Sequence, residues 1–368
     1  MKVALVCDWL TNVGGAEKVL LEMHRLFPEA PIYTSKYDKK GINWFNDADV
    51  RTGWLQIFPS KFRRILGPLR QRWFERLDLS EYDLVISVTG AEAKAVSAPN
   101  GVHISYCHVP TQYYWQMYDD YIKNPGFGML NPVVRFCFKL MVKPLKKADY
   151  AAAQKVDYFV TISEYARELI KKYYKRDAVV VHPPVEVEDF KYKKGPVENY
   201  YIVTSRQVNW KRLDLAVKAC LKLGRPLVVI GEGPEHKELM KMAKGSELIK
   251  FYPLMQKKEL VKYLASAKGY LFPSLEPFGI APVEALSVGC PVVAFGEGGA
   301  CDYVKDEKNG VLFDKQTVSS LSDGILKFEK MKFVREKVAE SVQDFGVKRF
   351  DSEIKDFIKK CEKNCNGK

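Results

Sequence analysis

The sequence predicts an α/β protein of two doubly wound, Rossmann-like domains facing each other across a cleft. Three observations lead there. Short apolar runs alternate with segments of helical period along most of the chain, the pattern of parallel strands joined by helices. The length of 368 residues exceeds what one core organises, so two domains are expected. Between the two series, residues 185–199 have no period and contain Gly195-Pro196, which reads as a linker.

The first series places strands at 2–7, 31–34, 84–88, 103–106, 158–161 and 179–182, each a short run of apolar residues. Helices are expected at 16–27, at 132–155 with a bend at Pro144, and at 164–174, where Ser163 is placed to cap the first turn. The second series places strands at 200–204, 227–230, 249–252, 270–272 and 292–295. Helices at 213–223, 234–244, 257–267 and 282–288 alternate with them. Beyond Asp314 the chain reads as mainly helical, and a last helix near 347–361 is free to pack on either domain. The expected domains are 1–190, to which a C-terminal helix at about 345–368 can return, and 200–340.

Composition narrows the classes. Apolar residues make up 47%, as in ordinary globular proteins, and no apolar run approaches the roughly 20 residues of a membrane-spanning helix. The first apolar run, Val3 to Cys7, is too short for a signal peptide core, so a cytoplasmic protein is expected. Eight scattered cysteines show neither zinc nor redox spacing, and reduced thiols are expected. The net charge of +13 is concentrated. Residues 51–76 carry Arg51, Lys61, Arg63, Arg64, Arg70, Arg72 and Arg76 against Glu75, and residues 131–147 carry Arg135, Lys139, Lys143, Lys146 and Lys147 with no acid. Large apolar groups interleave both segments: Trp54, Phe58, Phe62, Ile65, Leu66, Trp73 and Phe74 in the first, Val133, Phe136, Phe138, Leu140 and Met141 in the second. Such stretches suit an anionic membrane surface, with a solvated helix face as the plainer reading. Charge of this sign also permits nucleic-acid binding, but no recognised binding motif accompanies it.

The most informative stretch runs from Gly269 to Phe295. A strand leads into the turn Glu276-Pro277-Phe278-Gly279, then into a short helix holding Glu284, which Gly289 and Pro291 end. The N–H groups around Phe278, Gly279 and Ile280 would face an anion at a helix N-terminus, and the two glutamates can reach one ligand at different depths. That layout suits a nucleotide sugar. Arg206 and Lys211, just past the strand at 200–204, can clamp a diphosphate, although basic residues open many helices. Gly14 and Gly15 follow the first strand. They fit a plain strand-to-helix turn or a close approach of ligand to backbone. His108 follows the strand at 103–106 and is aimed at the expected cleft, whereas His103 lies on the other strand face, so the two make no metal pair. Asp47-Ala48-Asp49 has the form of a metal-binding tripeptide but lies in a polar stretch away from any strand end, and no metal or cofactor is expected.

Together these residues resemble the retaining glycosyltransferases of family 4, which have the GT-B fold, and among them bacterial GDP-mannose-dependent mannosyltransferases of surface-polysaccharide assembly. The resemblance rests on Gly14-Gly15-Ala16-Glu17, Ser105-Tyr106-Cys107-His108-Val109-Pro110 with Tyr114-Trp115, and His182-Pro183-Pro184-Val185. In the second half it rests on Ser205-Arg206 with Lys211-Arg212, Gly231-Glu232-Gly233-Pro234, and Glu276-Pro277-Phe278-Gly279 through Glu284-Ala285. It implies that Glu276 and His108 contact the donor sugar, Glu284 the ribose, and Arg206 and Lys211 the diphosphate. One departure is Thr111-Gln112-Tyr113, where many relatives carry an arginine. The implied activity is metal-independent transfer of a hexose, mannose from GDP-mannose first, to a lipid-linked or glycan acceptor at the inner face of the cell membrane. A UDP-sugar donor is the alternative within the fold, and a basic nucleic-acid-binding protein is the alternative outside it. Guanine and uracil would be told apart near Phe251 to Met255.

Overall fold

The computed structural model describes residues 1–60, 66–123 and 128–366, the side chains of Leu130 and of residues 364–366 excepted. Lys61, Phe62, Arg63, Arg64 and Ile65 of the first basic segment lie outside the described residues. The chain forms two compact units, Met1–Pro184 with Phe350–Lys368, and Val185–Arg349.

The first unit holds a seven-stranded parallel sheet. Its strands are β1 (Val3–Cys7), β2 (Ile32–Thr34), β3 (Val50–Thr52), β4 (Leu84–Thr89), β5 (Val102–Cys107), β6 (Tyr158–Thr161) and β7 (Val179–Val180), in the order β3-β2-β1-β4-β5-β6-β7. All five residues of β1 and all six of β4 are buried, as expected of strands covered by helices on both faces. The chain runs from β1 to one edge and returns to the other side of β1, so the winding reverses between β1 and β4. The helix Glu164–Tyr174 starts at Ser163, whose hydroxyl accepts from the Ala166 N–H at 3.0 Å. The helix Asn131–Lys155 runs unbroken through Pro144.

The second unit repeats the plan with six parallel strands: β8 (Tyr201–Thr204), β9 (Leu227–Ile230), β10 (Ile249–Tyr252), β11 (Gly269–Phe272), β12 (Val292–Phe295) and β13 (Gly310–Phe313). Their order is β10-β9-β8-β11-β12-β13, and the winding reverses between β8 and β11. One apolar cluster, including Val203, Val217, Leu271, Val293 and Ile325, forms its core.

Several elements depart from the expected ones. β3 is a three-residue edge strand, half exposed, too short and polar to show a period. β13 is a four-residue apolar run opened by a glycine, which period alone cannot assign. The helix Gly67–Glu75 occupies part of the first basic segment and buries Arg70, Gln71 and Phe74. The strand expected at 179–182 pairs only over Val179–Val180, because β7 is an edge strand that leaves the sheet before His182.

Candidate functional site

In open parallel sheets a ligand crevice forms beyond the carboxyl ends of the strands where the winding reverses. In the second unit that point lies between β8 and β11, and the sequence-predicted residues follow those two strands. Lys211 leaves β8 through a short 3-10 turn, Asn209–Lys211, and Glu276 leaves β11 through the turn before the helix Ile280–Ser287. The fold brings them into contact: Lys211 Nζ is 2.5 Å from Glu276 Oε2, and both side chains are mostly shielded from solvent. The other oxygen, Glu276 Oε1, accepts from the Ser274 hydroxyl at 2.8 Å. The carboxylate is thus held at one oxygen by the Ser274 hydroxyl and at the other by Lys211.

The helix Ile280–Ser287 starts without a capping side chain. Pro282 sits in its first turn, where a missing N–H costs nothing. Its N-terminal N–H groups therefore lack an intrahelical acceptor and carry the positive end of the dipole. Gly279 precedes it at φ +93°, a conformation that side chains rarely adopt, and a Cβ there would meet Phe272 Cζ at 2.6 Å and the Tyr303 hydroxyl at 2.9 Å. Tyr303 donates to the carbonyls of Phe278 (2.8 Å) and Gly279 (3.1 Å), and the buried Phe278 ring packs on it. Glu284 is buried within the same helix. Tyr270 ties the two strand ends together, its hydroxyl donating to the Thr204 carbonyl at 3.0 Å.

Arg206 is placed differently from its partner cation. It leaves the same strand end, but its side chain is exposed and its guanidinium lies 5.9 Å from the Trp210 ring centroid. Between the two cations sits Gln207, fully buried, which sequence reasoning missed. It accepts from the Glu235 N–H, donates its own N–H to the Glu232 carbonyl and its Nε2 to the Gly231 carbonyl, and bonds His236 Nδ1. Gly231 and Gly233 lie so close to the carbonyls of Ser205 and Gln207 that a Cβ would approach within 2.2 and 2.3 Å. The loop Gly231-Glu232-Gly233 thus fixes the backbone that carries Arg206 and Lys211. A loop that sequence reasoning missed, Gly298-Gly299 after β12, supports the Glu276 turn through the Gly299 N–H, which donates to the Glu276 carbonyl at 2.8 Å. The glycines clustered after a strand, Gly296-Glu297-Gly298-Gly299, were the available signal.

In the first unit the residues after β1, β4 and β5 do something else. Asp8, one residue past β1, accepts from the N–H groups of Gly90, Ala91 and Ala93 and from the Thr89 hydroxyl, all at 2.8–3.0 Å. Burial, then Glu92, raises its pKa, and those donors oppose the rise. Around it lie two buried ion pairs, Arg70 with Glu92 at 2.7 Å and Lys94 with Asp149 at 2.5 Å. Tyr114 donates to Glu92, and Trp115 and Tyr174 donate to Asp149. Thr111 bonds Asp149 and Tyr113 bonds Arg70, so the segment that departs from the resembled family is built into this network. Of the charged residues here only Arg70 stood out in the sequence, and then as part of a basic segment; the members lie far apart in the chain.

Gly14 precedes the helix Gly15–Leu26 in extended backbone open to any residue, although a Cβ would meet the Glu17 carboxylate at 2.7 Å. His103 is structural: buried, 2.9 Å from the Ser87 hydroxyl, its pKa pushed down to about 4 by burial. His108 is partly buried at the end of β5, and burial likewise holds it neutral with a pKa of about 4. Its Nε2 has no partner among the described residues. Asp49 pairs with Arg51 at 2.8 Å, and no cluster of three metal-ligating side chains occurs among the described residues.

Residues 184–345 match the family described as "Glycosyl transferases group 1". The chain is 28% identical over 188 residues to "Uncharacterized glycosyltransferase YqgM" of Bacillus subtilis, a match covering 48% of this chain and 52% of that protein. It is 26% identical over 198 residues to a "GDP-mannose-dependent alpha-(1-6)-phosphatidylinositol monomannoside mannosyltransferase" of Mycolicibacterium smegmatis, covering 46% of this chain and 52% of that one. The chain thus spans about half the length of these curated relatives. Among solved structures it is similar to Anabaena Alr3699/HepE in complex with UDP, with a TM-score of 0.73 over 98% of this chain and all of that one at 19% identity. The fold is GT-B: two α/β units, each built on a parallel sheet.

Proposed function

We propose, from the premise that the second unit is a group 1 glycosyltransferase domain, that the protein is a glycosyltransferase that moves a hexose from a nucleoside-diphosphate sugar to a lipid-linked or glycan acceptor. The observation that carries this reading is the Lys211–Glu276 pair beside the uncapped helix at Ile280. A cation, a carboxylate and a helix N-terminus converge on the crevice between β8 and β11.

The chemistry follows from the charges. A nucleoside diphosphate leaves readily once its developing charge is met. Lys211 and the N–H groups near Gly279 and Ile280 would meet it, with Arg206 swinging in from Trp210. Glu276 would accept hydroxyls of the sugar and Glu284 those of the ribose. His108, held neutral, would offer a substrate hydroxyl one hydrogen bond. The acceptor oxygen would bond to the anomeric carbon on the face from which the diphosphate departs, the sugar–phosphate bond would break, and the leaving phosphate would take the acceptor proton, so that the anomeric configuration is retained. No step in this scheme calls for a metal.

GDP-mannose is the donor we favour, supported by the likeness to a GDP-mannose-dependent enzyme. A UDP-sugar is the second reading, favoured by the likeness to a protein solved with UDP. We place the acceptor at the inner face of the cell membrane. Incubation with labelled GDP- and UDP-sugars tests the proposal. Release or transfer of label from GDP-mannose is expected, and no turnover with any donor would refute it.

A further inference from the structure

We infer that the helix Asn131–Lys155 docks on an anionic lipid bilayer through the face that carries Val133, Phe136 and Leu140. This helix is apolar on two opposite sides. Phe138, Val142 and Leu145 point inward and pack with Tyr114, Tyr118 and Tyr121. At 100° per residue, Val133, Phe136, Leu140 and Pro144 fall on the opposite side. They are spent on nothing: Phe136 is 64% exposed and Leu140 65%, and Met129 just before the helix is 97% exposed.

The flank of this stripe is basic. Lys139, Lys143 and Lys147 recur every four residues along it, all exposed. The only acid in the whole helix, Asp149, is buried against Lys94. A stripe of apolar groups edged by lysines with no exposed acid matches the interface of a negatively charged bilayer. Among the described residues no helix is long and apolar enough to cross a membrane, so contact is with its surface. A second copy of this chain is a poor occupant, because a two-fold contact would set like-charged lysines against each other. Nucleic acid is poorer still, since Phe136 is the one ring on a face otherwise made of Met129, Val133 and Leu140, which offer no row of stacking surfaces.

Among the described residues the other basic segment is partly spent on the interior: Arg70 is committed to Glu92, and Leu55 and Phe74 belong to the core, while Trp54 and Ile57 are exposed.

The inference rests on the proposed acceptor being lipid-linked, and its test is independent of catalysis. Sedimentation with vesicles of phosphatidylcholine containing about 40 mol% phosphatidylglycerol, at ~0.15 M salt, should carry down the wild-type protein, and pure phosphatidylcholine should not. Phe136→Ser/Leu140→Ser and Lys139→Gln/Lys143→Gln/Lys147→Gln should each reduce partitioning by roughly tenfold or more. Both variants alter exposed side chains, so their melting temperatures and GDP or UDP binding should match wild type. The inference is overturned if wild type ignores anionic vesicles, binds neutral ones equally, or prefers duplex DNA in competition. Undiminished binding by both variants overturns it too, as does a self-association that Phe136→Ser/Leu140→Ser abolishes. Vesicle binding without any nucleotide binding would instead refute the glycosyltransferase reading and leave the surface standing.

Discussion

Lys211 Nζ and Glu276 Oε2 stand 2.5 Å apart, although the residues are 65 positions apart and leave different strands. If Glu276 serves the sugar and Lys211 the diphosphate, each role draws on the other, because a phosphate that takes Lys211 must draw it from Glu276. Glu276→Gln should therefore tighten GDP or UDP binding by about fivefold, the worth of one partly shielded ion pair. The same change should cut transfer by about 10²-fold. Lys211→Ala should weaken nucleotide binding by about tenfold or more. Calorimetric titration beside a transfer assay checks all three, and weaker nucleotide binding by Glu276→Gln would remove the coupling.

Glu284 is buried inside the helix whose N-terminus faces the crevice. If it holds the ribose, Glu284→Ala should lose about tenfold in affinity for GDP or UDP, the worth of a charge-assisted hydrogen bond or two. Affinity for inorganic pyrophosphate should stay near wild type. A uniform loss for both ligands would show that the carboxylate only shapes the helix.

Gly279→Ala should be damaging for two separable reasons. The φ of +93° strains any side chain, and the added methyl meets Phe272 and Tyr303. A cost of about 1–3 kcal/mol is expected from the backbone alone. Thermal denaturation would read it as a lower melting temperature, with nucleotide binding lost even below the transition.

The Arg70–Glu92 pair is buried on both sides, so removing either partner leaves an uncompensated charge. Arg70→Met and Glu92→Gln should each cost about 3–5 kcal/mol. The double variant should cost clearly less than the sum. Urea denaturation of the four proteins measures the coupling, and additive losses would contradict the pairing.

Acid should destabilise the first unit through its histidines. His103 and His108 titrate near 4 when folded, below the ordinary value of about 6.5 for an unfolded chain. Between those values the unfolded chain binds more protons, so this contribution is complete above pH ~6.5 and is lost as pH falls toward 4. His103, fully buried, should account for about 3 kcal/mol, and the partly exposed His108 for less. Melting temperatures from pH 7 to 4.5 should fall, and His108→Gln should make the fall shallower.

Most of the architecture was legible because buried parallel strands write themselves as apolar runs. β4 and β12 are unmistakable in that way, with every residue inward. What escaped was short or depended on packing. β3 is three residues at an edge, and the buried face of Gly67–Glu75 is hidden behind its arginines. Lys211, Glu276 and the turn around Phe278 to Ile280 were legible because each follows a strand, although the helix begins at Ile280, two residues before the expected 282. Gln207, Ser274 and Tyr303 were not, since a buried glutamine, serine or tyrosine has no distinguishing pattern until its partners across the fold are known. The Asp8, Glu92 and Asp149 network was invisible for the same reason: its members are drawn from six separate stretches, at Asp8, Arg70, 89–94, 111–115, Asp149 and Tyr174.

Asp8 gives the two halves different characters. The backbone donors of Gly90, Ala91 and Ala93 gather around its carboxylate as a loop gathers around a phosphate. The first unit thus behaves as a nucleotide fold with its anion welded in, a surrogate ligand that never dissociates. Of two similar sheets, one carries its counter-charge permanently, and the other, if the proposed reading holds, exchanges Glu276 for a donor phosphate at Lys211. The duplicated architecture therefore need not present two competing nucleotide sites, and a single side chain is enough to break the symmetry.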